Sequence, residues 1–222
     1  MPEDDFCINI VPDENKEKIV RWFSSFLKSH WYRSPFQNIP LQEGMKWYDN
    51  LNEVSRILYA RGDVYEVEYE GSVIGLFNLA DREDYCYLSL VSLHPGFQGK
   101  GIGRRMVTHA VNLTAGMQKP RLELDTYAFN RAAVRLYKKC GFMWTPDTAI
   151  HMVNYLPLLH QAYPEEPLFL TDRWYGCYQR EITWVPDQPC NGCLYEYCFQ
   201  EGEKSRCFQV NTDNNSISVL DR

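Results

Sequence analysis

The run His94-Pro95-Gly96-Phe97-Gln98-Gly99-Lys100-Gly101-Ile102-Gly103 constrains this chain more than any other stretch. An apolar, strand-like segment over 85–93 leads into it. After it, Ile102, Met106, Ala110, Leu113 and Met117 recur at helical spacing, so the run sits at a β-to-α junction. A backbone this poor in side chains can turn its N–H groups toward an anion. The helix that follows adds its own unsatisfied N–H groups and the positive end of its dipole. Lys100, Arg104 and Arg105 add positive charge nearby.

Spacing excludes two nucleotide loops. A triphosphate loop needs G-x-x-x-x-G-K-[ST], but Ile102 follows Gly101 where a magnesium-binding hydroxyl would be required. A dinucleotide fingerprint needs G-x-G-x-x-G, whereas Gly99, Gly101 and Gly103 give G-x-G-x-G. What remains is Q-x-x-G-x-G from Gln98 to Gly103, which suits a diphosphate held without metal. A merely tight β-to-α turn is the competing reading.

The chain has 222 residues, enough for one domain and a small appendage. With 45% hydrophobic and 23% charged residues it reads as globular. A net charge of −6 argues against a nucleic-acid partner and suits a cationic acceptor. No apolar run is long enough to span a membrane. The acidic N-terminus lacks the order of a signal peptide, so a cytoplasmic location is expected, with the cysteines as reduced thiols.

Phe6 to Val11 alternates like a first strand, and Ile19, Trp22, Phe23, Phe26 and Leu27 follow at helical spacing. An aromatic connection over 30–40 leads to a second helical stretch over 43–58. Residues 63–80 read as a hairpin turning at Glu70-Gly71. The segment 85–93 suits a central strand covered on both faces. A strand over 121–127 precedes a helix on which Ala133, Leu136, Tyr137 and Cys140 share a face and Gly141 marks the stop. Residues 149–156 form a last strand. The order implies an α/β (α+β) domain over 1–155, a mixed sheet flanked by helices. A proline-bearing linker over 156–170 and a small β-rich unit over 171–222 complete the chain.

The Q-x-x-G-x-G run, with Val91-Ser92-Leu93-His94-Pro95 before it, resembles motif A of the GNAT superfamily of acetyl-CoA-dependent N-acetyltransferases. Asn130, Ala133, Leu136, Tyr137, Gly141 and Phe142 match that superfamily's motif B, N-x-x-A-x-x-L-Y-x-x-x-G-F. The resemblance covers roughly residues 5 to 155 and does not reach the tail. It implies a mostly antiparallel sheet, acetyl-CoA as co-substrate, and direct transfer to a small-molecule or peptide amine in a ternary complex. It also implies that Gln98, Gly99, Lys100, Gly101, Ile102, Gly103 and Arg104 hold the diphosphate. Val91 and Leu93 would offer main-chain groups to the pantetheine. Asn130 would orient the cofactor or cap its helix. Tyr137 would lie beside the cofactor and protonate the departing thiolate; a phenol with a pKa of about 10 keeps its proton at neutral pH. The connection over 30–40 and the second helix would shape the acceptor pocket. A non-catalytic acyl-CoA-binding or regulatory protein on the same fold is the alternative.

The general base is the gap in this reading. Residues 85–93 carry no carboxylate, where many members of the resembled superfamily have a glutamate. Glu123 and Asp125 share strand parity, and Glu83 and Asp84 lie upstream; Asp125 is the candidate base, beside a water chain to solvent. His94, before a proline, reads as structural. Cys140, on an apolar face, reads as buried and not nucleophilic.

Five of the eight cysteines, Cys177, Cys190, Cys193, Cys198 and Cys207, fall in the tail. Cys190 and Cys193 have the spacing of a zinc half-site, but Cys198 and Cys207 form no second close pair and the tail has no histidine. No metal ligands are therefore assigned, and zinc, a disulfide and free thiols all stay open, with thiols expected. The tail aromatics, among them Trp174, Trp184, Tyr195 and Phe199, would build a small core. Exposed ones would suit a homodimer or partner surface.

Overall fold

A computed structural model describes residues 6–31, 49–128, 130–145, 148, 150–165, 177–179, 194–201 and 204–221. The chain divides into two compact units, Met1–Asp81 with Leu88–Lys100, and Arg82–Tyr87 with Gly101–Arg222.

The first unit holds β1 (Phe6–Ile10), α1 (Lys16–Trp31), α2 (Leu51–Tyr59), β2 (Asp63–Tyr69), β3 (Ser72–Asp81) and most of β4 (Cys86–Leu93). The apolar stripe of α1 buries Ile19, Val20, Phe23, Phe26 and Leu27. Asn50 caps α2, its Oδ1 accepting the N–H groups of Asn52 and Glu53 at 3.1 and 3.4 Å. Val54 and Leu58 then enter the core formed with Val64, Val73 and Leu76. Burial of this kind is worth roughly 25 cal/mol per Å² of apolar surface. Glu70 and Gly71 both have positive φ, 48° and 73°, and close the β2–β3 hairpin between the paired Tyr69 and Ser72. Two left-handed residues make the turn whose twist matches the strands. The expected acceptor-shaping connection falls largely on residues 32–48, which lie outside the described residues.

The second unit holds α3 (Ile102–Gly116), β5 (Leu122–Asp125), α4 (Arg131–Lys139), β6 (Met143–Trp144), β7 (His151–Asn154) and α5 (Leu156–Ala162). It also holds β8 (Cys177–Gln179), β9 (Leu194–Glu201), β10 (Lys204–Asn211) and β11 (Ser216–Asp221). The buried face of α3 is wider than expected: Val107, Val111, Thr114 and Ala115 join Ile102, Met106 and Ala110, while Leu113 and Met117 are half-buried. Successive residues at i+4 drift by about 40° around a helix, so a long contact face takes in the neighbouring row.

In hydrogen-bonded order one sheet runs β1-β2-β3-β4-β5-β7-β6 and the other β11-β10-β9-β8. The β4–β5 pair is parallel, whereas β1–β2, β2–β3, β5–β7 and β6–β7 are antiparallel. The mixed, mostly antiparallel sheet with helices is therefore as expected.

Two sequence expectations need correction. The stretch read as a linker from residue 156 opens with α5, whose Leu156 and Leu159 are buried. Proline marks a breaker inside a helix but is tolerated in the first turn, where Pro157 sits. Asn154, fully buried, stitches this corner: its Nδ2 donates to Cys140 O at 2.8 Å and its Oδ1 accepts from Leu156 N at 2.9 Å. The second correction concerns the thiols. Cys198 and Cys207 form a disulfide, because the β9–β10 hairpin sets them directly opposite with Cα atoms 4.1 Å apart. Cys7, Cys86 and Cys140 are thiols outside any disulfide among the described residues. With both sulfurs bonded to each other, the nearby Glu196 has no thiolate pair with which to hold a metal. Cys190 and Cys193, the zinc half-site by spacing, lie outside the described residues, as do Trp174 and Trp184. No described helix is long and apolar enough to cross a membrane.

Candidate active site

The glycine loop has the conformation that its composition suggested. Pro95–Phe97 form a single 3₁₀ turn, capped by His94, whose Nδ1 accepts the N–H of Gly96 at 3.2 Å. His94 thus has the structural role expected of it. Gln98 folds back, its Nε2 donating to Leu93 O at 3.0 Å, so this side chain braces the loop against the end of β4. Lys100 Nζ lies 5.1 Å from the centre of the Phe97 ring, a cation–π contact that holds its charge over the loop.

Gly99 and Gly101 have φ of 76° and 83°, where side chains are strained, and a Cβ built on either meets no atom of the described residues within 4 Å. Both facts point the same way: the backbone here is turned outward and uncovered. Gly101 is the N-cap of α3 and supplies no side-chain cap. The first helical bond runs from Arg105 N to Gly101 O, so the N–H groups of Ile102, Gly103 and Arg104 precede the intrahelical ladder. At Gly103 a Cβ would stand 3.4 Å from Leu136 Cδ2, in ordinary contact with α4. The loop therefore fits the anion-binding role by open space, by main-chain donors and by charge.

β4 is not covered evenly on both faces as its apolar run suggested. Cys86, Leu88 and Ser92 are buried, while Val91 and Leu93 are half-buried. Leu90 has φ of 51°, a left-handed value rare for a branched side chain. The Ser92 hydroxyl donates to Leu90 O at 3.1 Å and props the distortion. Such strain persists only where surrounding structure enforces it, and it clusters at functional sites. It re-aims the main chain just before Val91. The registered β4–β5 pairs are Cys86↔Leu122 and Tyr87↔Glu123.

Tyr137 projects from α4 and is buried, with its ring 5.8 Å from that of Phe142. Burial first, then Cys140 and Tyr87, holds the phenol well above its usual range, so it stays protonated and able to donate. Asn130 caps α4, its Oδ1 accepting from Ala133 N at 3.4 Å, which is the capping half of its expected role. Gly141, φ 93°, ends the helix as anticipated. Cys140 is buried with its Sγ 3.9 Å from Arg104 O, a poor setting for a nucleophile.

The candidate base has more company than the sequence suggested. Asp125 Oδ2 accepts the Tyr87 hydroxyl at 2.9 Å, and Asp125 Oδ1 is 2.7 Å from His151 Nδ1. Glu123 Oε1 accepts Arg121 Nε at 2.6 Å, and Glu123 Oε2 is 3.3 Å from His151 Nε2. Glu83 and Asp84 stay in an exposed turn, and what they offer neighbours is main-chain oxygen, to Lys119 and Arg121 respectively. Sequence reasoning missed His151 and Tyr87. The spacing holds no signal for them, because the Asp125↔His151 pairing joins strands far apart in the chain.

Comparison with known proteins completes the picture. The family model of the acetyltransferase (GNAT) family matches residues 17–142. The chain is 33% identical over 98 residues to the uncharacterized N-acetyltransferase YjgM of Escherichia coli, which covers 42% of this chain and 59% of that protein. The chain spans about half the length of the curated relatives it matches. Among solved structures, the PaiA N-acetyltransferase of Thermoplasma acidophilum, in complex with coenzyme A, aligns with a TM-score of 0.53 at 18% identity. That alignment covers 68% of this chain and 98% of the other. A spermidine N-acetyltransferase of Vibrio cholerae, in complex with coenzyme A and spermine, gives 0.51 at 18% identity over 71% and 99%. These likenesses speak to fold, and the family match speaks to descent: the chain belongs to the acetyltransferase (GNAT) family.

Proposed function

We propose that this protein is an acetyl-CoA-dependent N-acetyltransferase acting on an amine by direct transfer. The observation that carries the reading is the loop from Gln98 to Arg104, where two left-handed glycines face open space at an uncapped helix start. Acetyl-CoA supplies an activated acetyl thioester. Main-chain N–H groups of Gly99 to Gly103 hold its diphosphate, with Lys100 and Arg104 adding charge. Val91 and Leu93 present main-chain groups after the distortion at Leu90, and Leu93 does so with its carbonyl already braced by Gln98. Tyr137 donates a proton to the leaving sulfur, a role supported by its burial and raised pKa. The relatives described as N-acetyltransferases, and the Vibrio protein described with spermine, make small cationic amines the first acceptors to try.

A cytoplasmic, non-membrane setting and the absence of a nucleic-acid partner are part of this proposal, as is a homodimer, although Tyr195, Tyr197, Phe199 and Phe208 of the tail are buried and do not supply its surface. The second reading, an acyl-CoA-binding regulator, rests on the lack of a carboxylate in β4. Calorimetry with coenzyme A, followed by thiol release from acetyl-CoA with spermidine, tyramine and trialanine, separates the two. Binding with thiol release supports the enzyme, binding without release supports the regulator, and no binding removes both.

A further inference from the structure

The β9–β10 hairpin has two faces of unlike chemistry. From β9, Tyr195, Tyr197 and Phe199 point one way and are buried, with Phe208 and Val210 of β10 beside them on the same face. Strand alternation sends Glu196, Cys198 and, across the register, Cys207 the other way. On that second face Glu196 is 3% and Cys207 1% exposed, while Cys198 is half-buried. Glu196 is therefore no solvated surface charge. A carboxylate so placed is costly until hydrogen bonds or a cation compensate it.

The bridge sulfurs do not compensate it. Glu196 Oε1 lies 3.4 Å from Cys198 Sγ, but a disulfide sulfur carries no hydrogen and brings the carboxylate neither donor nor charge. A carboxylate oxygen and both sulfurs nevertheless lie within 4.8 Å of one another. On a tetrahedral zinc, with Zn–S of about 2.3 Å and Zn–O of about 2.1 Å, sulfur and oxygen ligands stand about 3.6 Å apart. The Glu196–Cys198 contact is already close to that spacing. The two sulfurs, once unbonded, need to part to about 3.8 Å, which rotation about their Cα–Cβ bonds can supply.

We propose that reduction of the Cys198–Cys207 bridge turns this face of the hairpin into a zinc site, held by both thiolates and the Glu196 carboxylate. Two thiolates select a borderline-soft divalent ion over magnesium or calcium. Solvent takes the fourth position, past half-buried Cys198. The chemistry balances in two steps. A dithiol gives two electrons and two protons to the S–S bond, which opens to two thiols while the dithiol closes to its own disulfide. The metal then displaces both thiol protons to solvent, leaving a centre of net charge −1. Bridge and metal exclude each other, because sulfurs bonded together offer no thiolate. The site lies on the strand whose Tyr197 hydroxyl accepts the Tyr155 N–H, so either form clamps the hairpin where it joins α5 and β7. It stands independently of the acetyltransferase reading.

The test uses the full chain, reduced with a phosphine that ends as its oxide with the oxygen of water, then desalted under argon. Cobalt(II), a coloured stand-in for zinc, is titrated into reduced and oxidised protein. Reduction should add one equivalent of bound cobalt, with near-ultraviolet thiolate-to-cobalt absorption that zinc abolishes. Cys198→Ser/Cys207→Ser should lose that added equivalent. Glu196→Gln should keep the absorption and bind cobalt at least about tenfold more weakly, since even partners beyond the ligands are worth that much. A bridge that stays closed, no gain on reduction, or a gain kept by the double serine variant would overturn the site. Unchanged cobalt affinity in Glu196→Gln would overturn it too. Should the double variant fail to fold, the reduced-against-oxidised difference and the glutamine variant decide between them.

Discussion

The hydroxyl oxygen of Tyr197 accepts the main-chain N–H of Tyr155 at 2.8 Å, and both residues are buried. This single bond ties β9 to the residue that links β7 and α5. Beside it, the Tyr195 ring lies 5.6 Å from that of Tyr155, and its hydroxyl donates to Trp144 O at 3.2 Å. The tail sheet thus meets β6 and the residue that follows β7. Tyr197→Phe keeps the ring and orphans a buried N–H, which costs about 1–3 kcal/mol. A urea titration checks it; an unchanged midpoint would mean that water takes over the amide.

Removing the Tyr137 hydroxyl tests the proton donor. Tyr137→Phe should lower kcat by about 10²-fold or more, the usual worth of general acid catalysis. Coenzyme A affinity should barely move, since the ring and its packing on Phe142 remain. Stopped assays of thiol release, alongside calorimetry, read the two quantities separately.

Gly101→Asp puts a carboxylate into the open space above a left-handed residue at the start of α3. Coenzyme A binding should weaken at least about tenfold, or ~1.4 kcal/mol. Because φ of 83° strains any side chain, Gly101→Ala serves as the control, and the excess loss in the aspartate variant measures the charge. Equal losses in both would count against an anion at this loop.

Glu66 carries a pH signature. Its side chain is buried, and among the described residues Oε2 has no hydrogen-bond partner and only a 3.4 Å bond from Asn15 Nδ2 reaches Oε1. Burial, then the Glu68 charge, pushes its pKa above the ordinary carboxylate value. The folded state therefore binds this proton more tightly than the unfolded state, and stability falls as pH rises through and beyond the ordinary carboxylate pKa. Glu66→Gln should be more stable than the parent near pH 7, with the advantage vanishing below about pH 4. Paired thermal melts at the two pH values decide, and an equal difference at both would refute the charge effect.

How much of this was legible in the chain depends on how local each cause is. The Glu70-Gly71 turn, the Gly141 stop and the glycine loop need only their own residues and neighbours, and all three read directly. Helix α5 did not, because a proline looks the same as a breaker or as a first-turn residue until Leu156 and Leu159 find a core. The Cys198–Cys207 bond depends on which residues face one another across a hairpin, and one shift in register would separate them. The contacts of His151 were not legible either: they come from Asp125 and Glu123, two strands away in sequence.

β5 is four residues long, with Leu122 and Leu124 buried and Glu123 and Asp125 turned the other way. A slip of one position against β7 would drive two carboxylates into hydrocarbon and set two leucines in water. The strand is thus its own proofreader: misalignment is penalised by its own carboxylates, so any substitution that blunts their polarity should also loosen the fidelity with which the sheet assembles.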